Sequence, residues 1–311
     1  MSRDLVLPII DLASPDRDSI AQSIRQACVE YGFFYVINHG IPKGVFQKVF
    51  EESKKFFALP LEEKLKLKIN DTYRGYTPSY SGNDEDLKES FYLSSGGGSN
   101  SETIINQWPP EETLPLWRVT MESYCHDILT VGKRLSSLIA LSLNLDDQYF
   151  EKVGAFVDSS AVLRLLHYPD EVSASDAGKY GVSPHSDFGM LTLLAINGVP
   201  GLQICREKDK CPQLWEDVHH VDGSLIVNIG DLLERWTNCV FRSTLHRVLA
   251  IGKERYSVAL FLDANADCLI ECLESCCSET CPPRFPPIRS GDHLRERLQA
   301  TFLNKTGKQT Y

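Results

Sequence analysis

The stretch PHSDFGMLTLL, residues 184–194, carries a histidine and an aspartate two positions apart at the head of an apolar run. Residues two apart on a strand leave from the same face, so His185 and Asp187 can meet one ion. A second histidine, His246, follows in the alternating stretch STLHRVLA. Two imidazoles and one carboxylate recur as ligands of non-haem Fe(II), because they fill one face of an octahedron and leave three positions open. The pattern predicts that His185, Asp187 and His246 form a catalytic metal site.

A second pattern follows nine residues after His246, in the stretch RYSVALF. Arg255 and Ser257 are two apart, so a strand would place both on one face. A guanidinium offers a two-pronged donor to a carboxylate, and a hydroxyl adds one more donor. These residues therefore predict a carboxylate-binding site beside the metal.

Other potential metal ligands have weaker patterns. His220 and Asp222 in HHVDG repeat the His-x-Asp spacing, but they lie at an Asp-Gly turn without a third ligand, and we interpret them as a hairpin tip. The chain has ten cysteines, and five of them lie in CLIECLESCCSETC. They lack the paired CxxC spacing of structural zinc sites, so we interpret them as reduced thiols in a connecting segment, with a zinc site or a redox role as the alternatives.

The elements that must position these residues follow from hydrophobic periodicity. Short apolar segments from about residue 161 to 263, separated by Gly, Pro, Asp and Asn, predict a barrel or jelly roll rather than a βαβ sheet. Before them, apolar recurrence every three to four residues predicts a helix that ends at Gly32, a second helix, and a long buttress helix over residues 116–145. We expect an N-terminal helix and strand region, residues 1–115, packed on one unit of residues 116–311.

Composition and charge exclude some classes of protein. The 311 residues, 42% hydrophobic, can bury a large core, and the formal net charge of −10 argues against nucleic acid and anionic membranes as partners. The N-terminus lacks the profile of a secretory signal, and no run of about 18 apolar residues is present. We expect a soluble cytoplasmic protein, which we take to be a monomer.

The order of the motifs resembles that of a known family, the 2-oxoglutarate- and Fe(II)-dependent dioxygenases, in the plant-type branch related to isopenicillin N synthase. The resemblance lies in LPIIDL, GFFYVINHGIP, YRGYTP, HSDFGMLTLL, GLQI, VNIGDLLERWTN, STLHRV and RYSVALF, and it covers nearly the whole chain. It implies a mainly β fold with helices, in which a distorted double-stranded β-helix, a cupin-like jelly roll, is buttressed by helices. It also implies Fe(II), 2-oxoglutarate and dioxygen as cofactor and co-substrates, with ascorbate as reductant, in the specialised metabolism of a small molecule.

The resemblance also assigns residues. His185, Asp187 and His246 would bind iron, and Arg255 and Ser257 would hold the distal carboxylate of 2-oxoglutarate. Tyr168 would assist them, although its stretch LLHYP has Leu166 where the family usually has asparagine.

The substrate-binding residues are less defined by sequence. If Tyr168 points inward, strand parity turns Arg164 inward too. Arg164 would then bind a carboxylate or polar ring of the substrate, or pair with an internal acid. Four aromatic residues are further candidates for the pocket wall: Tyr73, Tyr92, Phe188 and Trp236. The tail HLRERLQATF predicts an amphipathic helix, which would cap the entrance or only pack on the barrel.

Four functions remain open at this point. The leading prediction is an oxidoreductase that hydroxylates, demethylates or desaturates a small organic molecule while 2-oxoglutarate becomes succinate and carbon dioxide. The alternatives are an iron oxidase of the same fold that does not consume 2-oxoglutarate, a non-catalytic ligand-binding protein, and a nucleic-acid demethylase. The acidic charge argues against the last of these.

Overall fold

The computed structural model describes residues 5–79, 86–94, 106–156, 161–170 and 179–306, the last six of these by their backbone only. Two sheets face each other, and helices cover the outer face of the larger one. The larger sheet has the strand order β1-β2-β10-β7-β12-β5-β4-β3. Its strands are β1 Ile9–Asp11, β2 Phe33–Ile37, β3 Gly75–Thr77, β4 Glu89–Ser94, β5 Val162–Tyr168, β7 Leu191–Ile196, β10 Leu225–Ile229 and β12 Arg255–Leu262.

The smaller sheet has the order β6-β11-β8-β9. Its strands are β6 Tyr180–His185, β8 Leu202–Cys205, β9 Glu216–Asp217 and β11 Leu245–Leu249. The pairing of β6 with β11 is antiparallel and irregular, with register shifts on both sides of Val248. Together the two sheets form the expected double-stranded β-helix.

Alternation along the strands of the larger sheet separates two layers of apolar residues. On β12, Val258, Leu260 and Leu262 join the main core against the helices, whereas Arg255, Ser257 and Ala259 line a cavity between the sheets. Strands β5, β7 and β10 alternate in the same way, because successive side chains of a strand point to opposite faces. The two-residue period of these strands therefore has a structural cause. One face of the larger sheet packs in the main core against the helices, and the other face lines the cavity between the two sheets.

The helices of the N-terminal half form the outer layer. They are α1 Arg17–Glu30, α2 Lys43–Phe57, α3 Leu61–Leu65, α4 Trp117–Ser142 and α5 Tyr149–Lys152. Asp16 caps the N-terminus of helix α1, because its carboxylate accepts from the Ser19 amide, and the helix ends before Gly32, whose φ of 66° favours glycine. The long helix α4 packs on α1, α2 and the back of the sheet, which confirms the predicted buttress with slightly shorter bounds.

The remaining elements follow the smaller sheet or extend from the barrel. They are α6 Asp231–Trp236, the two-stranded ribbon of β13 Leu269–Ile270 and β14 Ile288–Arg289, a 3₁₀ turn at Glu274–Cys276, and α7 Ser290–Thr306. All ten cysteines are free. In the described part of the chain, no helix is both long and apolar enough to cross a membrane.

Candidate active site

The three predicted metal ligands meet at one end of the cavity between the sheets. His185 is the last residue of β6, Asp187 lies just beyond that strand, and His246 lies on β11 directly opposite His185. The Nε2 atoms of His185 and His246 are 3.7 and 3.6 Å from the same oxygen of Asp187, Oδ1. Among the described residues, this is the one group of three or more His, Cys, Asp or Glu side chains whose ligand atoms lie within 4.8 Å of one another.

Hydrogen bonds orient all three groups toward a common point. The ring Nδ1–H of His185 donates to the carbonyl of Ser183 at 2.8 Å, and that of His246 donates to the carbonyl of Thr244 at 3.1 Å. Each bond leaves Nε2 as the metal-facing nitrogen. On Asp187, Thr192 and Asn228 donate to Oδ2 at 2.6 and 2.7 Å, so Oδ1 faces the imidazoles.

The protonation states also suit a divalent cation. Desolvation within the cavity and the electrostatic effect of the neighbouring His246 lower the pKa of His185 to about 4. Burial alone would raise the pKa of Asp187, but the two imidazoles and the hydrogen bonds from Thr192 and Asn228 lower it. At neutral pH His185 is therefore neutral and Asp187 ionised, as metal binding requires. The donor set of two imidazole nitrogens and one carboxylate oxygen fits Fe(II) with positions left for other ligands.

Arg255 and Ser257 line the same cavity. Arg255 is 2% exposed, and its Nη1 and Nε donate to Ser257 Oγ and the Val199 carbonyl, both at 3.3 Å. Its Nη2 is buried without a hydrogen-bond partner in the described structure. The Tyr168 ring lies over the guanidinium, with its centroid 4.7 Å from Cζ. This geometry presents an unsatisfied cationic donor to a ligand in the cavity.

Arg164, Leu166 and Tyr168 line the cavity together, as strand parity requires. The Nε and Nη2 of Arg164 both donate to Ser90 Oγ, at 3.3 and 3.1 Å, and its Cζ is 4.8 Å from the centroid of the Tyr92 ring. No described carboxylate pairs with it. Pairing of Arg164 with an internal acid was the alternative expectation. Its neighbours are instead the neutral hydroxyl of Ser90 and the ring of Tyr92, so no described carboxylate compensates its charge within the cavity.

The other aromatic candidates lie apart from the triad cavity. Trp236 is 2% exposed and packs on the Phe150 ring at 5.1 Å, so the expectation of a pocket wall is corrected to a place in the main core. Tyr73 is 61% exposed, with a φ of 59° in the turn before β3. Phe188 is half-buried under Arg297 of α7, whose Cζ is 5.1 Å from the ring centroid.

The weaker metal patterns form no ligand cluster among the described residues. Asp222 is exposed and pairs with Lys43 at 2.6 Å, as the hairpin-tip interpretation predicts. Three thiols of the cysteine-rich segment gather around the Asn238 amide, but their sulfur atoms do not approach one another as metal ligands would.

Sequence reasoning missed three sets of residues around the triad. Thr192 and Asn228 are polar positions inside the apolar strands MLTLL and IVNIG, and that interruption is the signal that would have found them. Asp86, which accepts from both the amide and the hydroxyl of Ser183, lies in a polar loop without such a signal. Asp231 binds Ser186, Ser243 and Arg297, and thereby joins both ligand segments to α7.

Comparisons with known proteins agree with this geometry. Residues 7–111 match the family model described as "non-haem dioxygenase in morphine synthesis N-terminal". Residues 159–264 match the model of the 2OG-Fe(II) oxygenase superfamily. The chain is 41% identical to kihadalactone A synthase LFS of Citrus sinensis over 94% of this chain and 91% of that protein. It is 38% identical to azadirone synthase LFS of Melia azedarach over 97% and 95% of the two chains.

A solved structure has the same fold. It is that of a full-length Neurospora crassa protein in complex with alpha-KG and 5-formyluracil, with a TM-score of 0.85 and 29% identity, covering 96% of this chain and 98% of that one. These matches extend over both the N-terminal region and the jelly roll, and they confirm the leading prediction. The chain belongs to the 2OG-Fe(II) oxygenase superfamily and is a non-haem, 2-oxoglutarate-dependent dioxygenase.

Proposed function

We propose that His185, Asp187 and His246 hold the iron, and that Arg255 with Ser257 binds the distal carboxylate of 2-oxoglutarate beside it. When bound, iron and 2-oxoglutarate supply the oxidising chemistry, with dioxygen as oxidant and ascorbate as reductant. The protein's part is to hold the three metal ligands and the carboxylate-binding pair of Arg255 and Ser257 in one cavity, and to keep His185 neutral.

The observation that carries this proposal is the buried, unpartnered Nη2 of Arg255. A buried guanidinium without a carboxylate is costly, and a structural arginine would be paired. Arg255 faces the cavity that the triad also lines, so a dicarboxylate can reach both the metal and the guanidinium. The ring of Tyr168 packs against the guanidinium of Arg255. The apolar Leu166 lies opposite Ser257 on the neighbouring strand.

The substrate we infer is a small organic molecule with a carboxylate or a strongly polar oxygen, oxidised in specialised metabolism. Arg164 supports this inference, because its charge faces the cavity with Ser90 and Tyr92 as its neighbours. The two plant relatives quoted above are named as synthases of kihadalactone A and of azadirone. Of the four aromatic candidates, Tyr92 is the one whose ring lies beside Arg164. We further infer a cytoplasmic monomer without membrane or nucleic-acid partners.

The test is anaerobic reconstitution with Fe(II) followed by titration with 2-oxoglutarate. We expect a metal-to-ligand charge-transfer band that is lost in His185→Ala and needs a higher 2-oxoglutarate concentration in Arg255→Ala. A band of wild-type strength in His185→Ala would overturn the ligand assignment. Iron binding without any band would instead favour the oxidase that does not consume 2-oxoglutarate.

Arg164→Ala is the variant for the substrate site. We expect normal iron and 2-oxoglutarate binding, with succinate release that no longer rises when the substrate is added from a panel of small carboxylic acids and ketones. Unchanged substrate affinity in this variant would remove Arg164 from the substrate site.

A further inference from the structure

We propose that Asp86 is a positioning residue for the iron ligand His185, acting through Ser183. One oxygen of the Asp86 carboxylate, Oδ1, accepts from both the backbone amide and the hydroxyl of Ser183, at 2.8 and 2.6 Å. The carbonyl of Ser183 then accepts from Nδ1 of His185 at 2.8 Å. Three hydrogen bonds thus connect a carboxylate outside the triad to the ring of one ligand.

The place of Asp86 in the fold explains why it takes this role. Strand β6 is at the edge of the smaller sheet, and β11, the strand beside it, pairs with it irregularly. The segment before β4 covers the open edge, since the Leu87 amide also donates to the Tyr180 carbonyl at 2.8 Å. Asp86 therefore stands in for a neighbouring strand at the position where the ligand-bearing end of β6 would otherwise lack one.

His185 needs such support more than the other ligands do. Its side chain is 37% exposed, whereas those of His246 and Asp187 are 10% and 7% exposed. The Phe33 ring packs edge-on against His246, with centroids 5.4 Å apart, and Asp187 receives two side-chain hydrogen bonds. The bond from His185 to Ser183 is its one hydrogen bond in the described structure, so the position of Ser183 sets its ring orientation.

The charge of Asp86 is maintained at a buried position. Asp86 and Lys88 are each 7% exposed, and the Lys88 ammonium lies 2.6 Å from Oδ2, the oxygen that Ser183 does not use. An ionised carboxylate accepts stronger hydrogen bonds than a neutral amide, and here both go to one serine. The same segment continues into β4, which carries Ser90 and Tyr92 beside Arg164. The wall of the substrate cavity and the iron ligand are therefore joined by Asp86.

The inference rests on the proposed iron ligands, so its test measures metal binding directly. Wild type, Asp86→Ala and Asp222→Ala are titrated anaerobically with Fe(II), and Co(II) absorption reports the ligand geometry. Asp222→Ala is the matched control, because it removes an acid from an exposed ion pair with Lys43. We expect Asp86→Ala to bind Fe(II) about 10- to 100-fold more weakly with a changed Co(II) spectrum, as loss of an orienting partner usually does. Asp222→Ala should match wild type.

Turnover separates positioning from general damage. In Asp86→Ala the iron concentration needed for half-maximal succinate release should rise in step with the dissociation constant, and saturating Fe(II) should restore kcat. A folded Asp86→Ala protein with wild-type Fe(II) affinity and Co(II) spectrum overturns the inference.

Ser183→Ala decides the matter if Asp86→Ala does not fold. This variant keeps the buried Asp86 and Lys88 pair and removes the hydroxyl bond alone, so we expect a smaller but measurable weakening of Fe(II) binding. Wild-type affinity in Ser183→Ala would count against the inference equally. His185→Ala separates the two proposals. If His185→Ala binds Fe(II) with wild-type affinity, the assignment of His185 as an iron ligand is wrong. If His185→Ala loses Fe(II) binding while Asp86→Ala keeps wild-type affinity, only the positioning role of Asp86 is refuted.

Discussion

Replacing Arg255 by methionine should separate ligand binding from stability, because a large loss of 2-oxoglutarate affinity is expected with little change in the free energy of unfolding. Arg255 is almost fully buried, and no described carboxylate pairs with its guanidinium. In the proposed function, 2-oxoglutarate supplies the missing partner. Methionine retains much of the apolar stem and removes the charge, so the ligand-free protein loses little while the ligand loses its anchor.

The magnitudes follow from the contacts. Truncating one partner of a buried, hydrogen-bonded charge pair costs about 2–5 kcal/mol. At about 1.4 kcal/mol per factor of ten, the affinity for 2-oxoglutarate should fall between about 30-fold and a few thousandfold. In the ligand-free protein, two hydrogen bonds of 3.3 Å are lost at roughly 1 kcal/mol each, and removal of a buried charge returns about 1–4 kcal/mol. The free energy of unfolding should therefore change by between about −1 and about +2 kcal/mol.

The assay pairs urea unfolding of the ligand-free protein with 2-oxoglutarate titration of the Fe(II) form, monitored by calorimetry. Arg164→Met is the matched control, since it removes the other arginine of the cavity and should leave 2-oxoglutarate affinity intact. An Arg255→Met protein that loses more than about 2 kcal/mol of stability yet binds 2-oxoglutarate normally would show that Arg255 is structural. The unpaired Nη2 of Arg255 would then not be a binding site for 2-oxoglutarate.

Three further substitutions test other parts of the structure. Asn228→Leu leaves Asp187 Oδ2 with one donor, and Fe(II) affinity measured by anaerobic titration should fall about 10- to 100-fold. Arg297→Ala breaks the partly exposed 2.7 Å ion pair with Asp231, which should lower the free energy of unfolding by under about 1 kcal/mol. Amide exchange along α7 should become faster, and unchanged exchange would contradict the anchoring role of this pair. For Asp86, burial opposes ionisation, but the ammonium beside it and the serine hydrogen bonds lower its pKa below the ordinary 3.8. The ionised carboxylate therefore stabilises the fold above pH 3.8, and this contribution is lost as the pH falls through the lower pKa that Asp86 has in the folded protein. The free energy of unfolding of Asp86→Asn should accordingly depend less on pH in that acidic range than that of wild type.

Local periodicity was sufficient to predict much of the fold. The alternation in RYSVALF predicted which residues of β12 face the cavity, and the helical spacing before Gly32 predicted where α1 ends. The distance between His185 and His246 along the chain carries no geometric information by itself. Their cross-strand pairing was therefore available only from the resemblance to a family, or from the structure.

Asp86 and Ser90 could not be predicted from the sequence, for a physical reason. Asp86 is 97 residues from Ser183, and their contact depends on how one loop lies along a strand edge. Likewise, the neutral neighbour of Arg164, Ser90, is 74 residues away on β4. Periodicity indicates which face a side chain occupies, but it does not indicate which distant element packs against that face.

The charges of the cavity argue for the kind of substrate it accepts. The protein as a whole carries a formal charge of −10, yet the cavity contains two guanidiniums, Arg255 and Arg164, and one carboxylate of the triad, Asp187. With a ferrous ion on neutral imidazoles, as proposed, this set has three net positive charges. The two carboxylates of 2-oxoglutarate compensate two of them and leave one at Arg164, which lies opposite Ala259 and thus four positions along the paired strands from Arg255. Because an uncompensated charge in a poorly solvated site attracts an opposite one, a substrate with an anionic or strongly polar oxygen should bind best after 2-oxoglutarate, at that end.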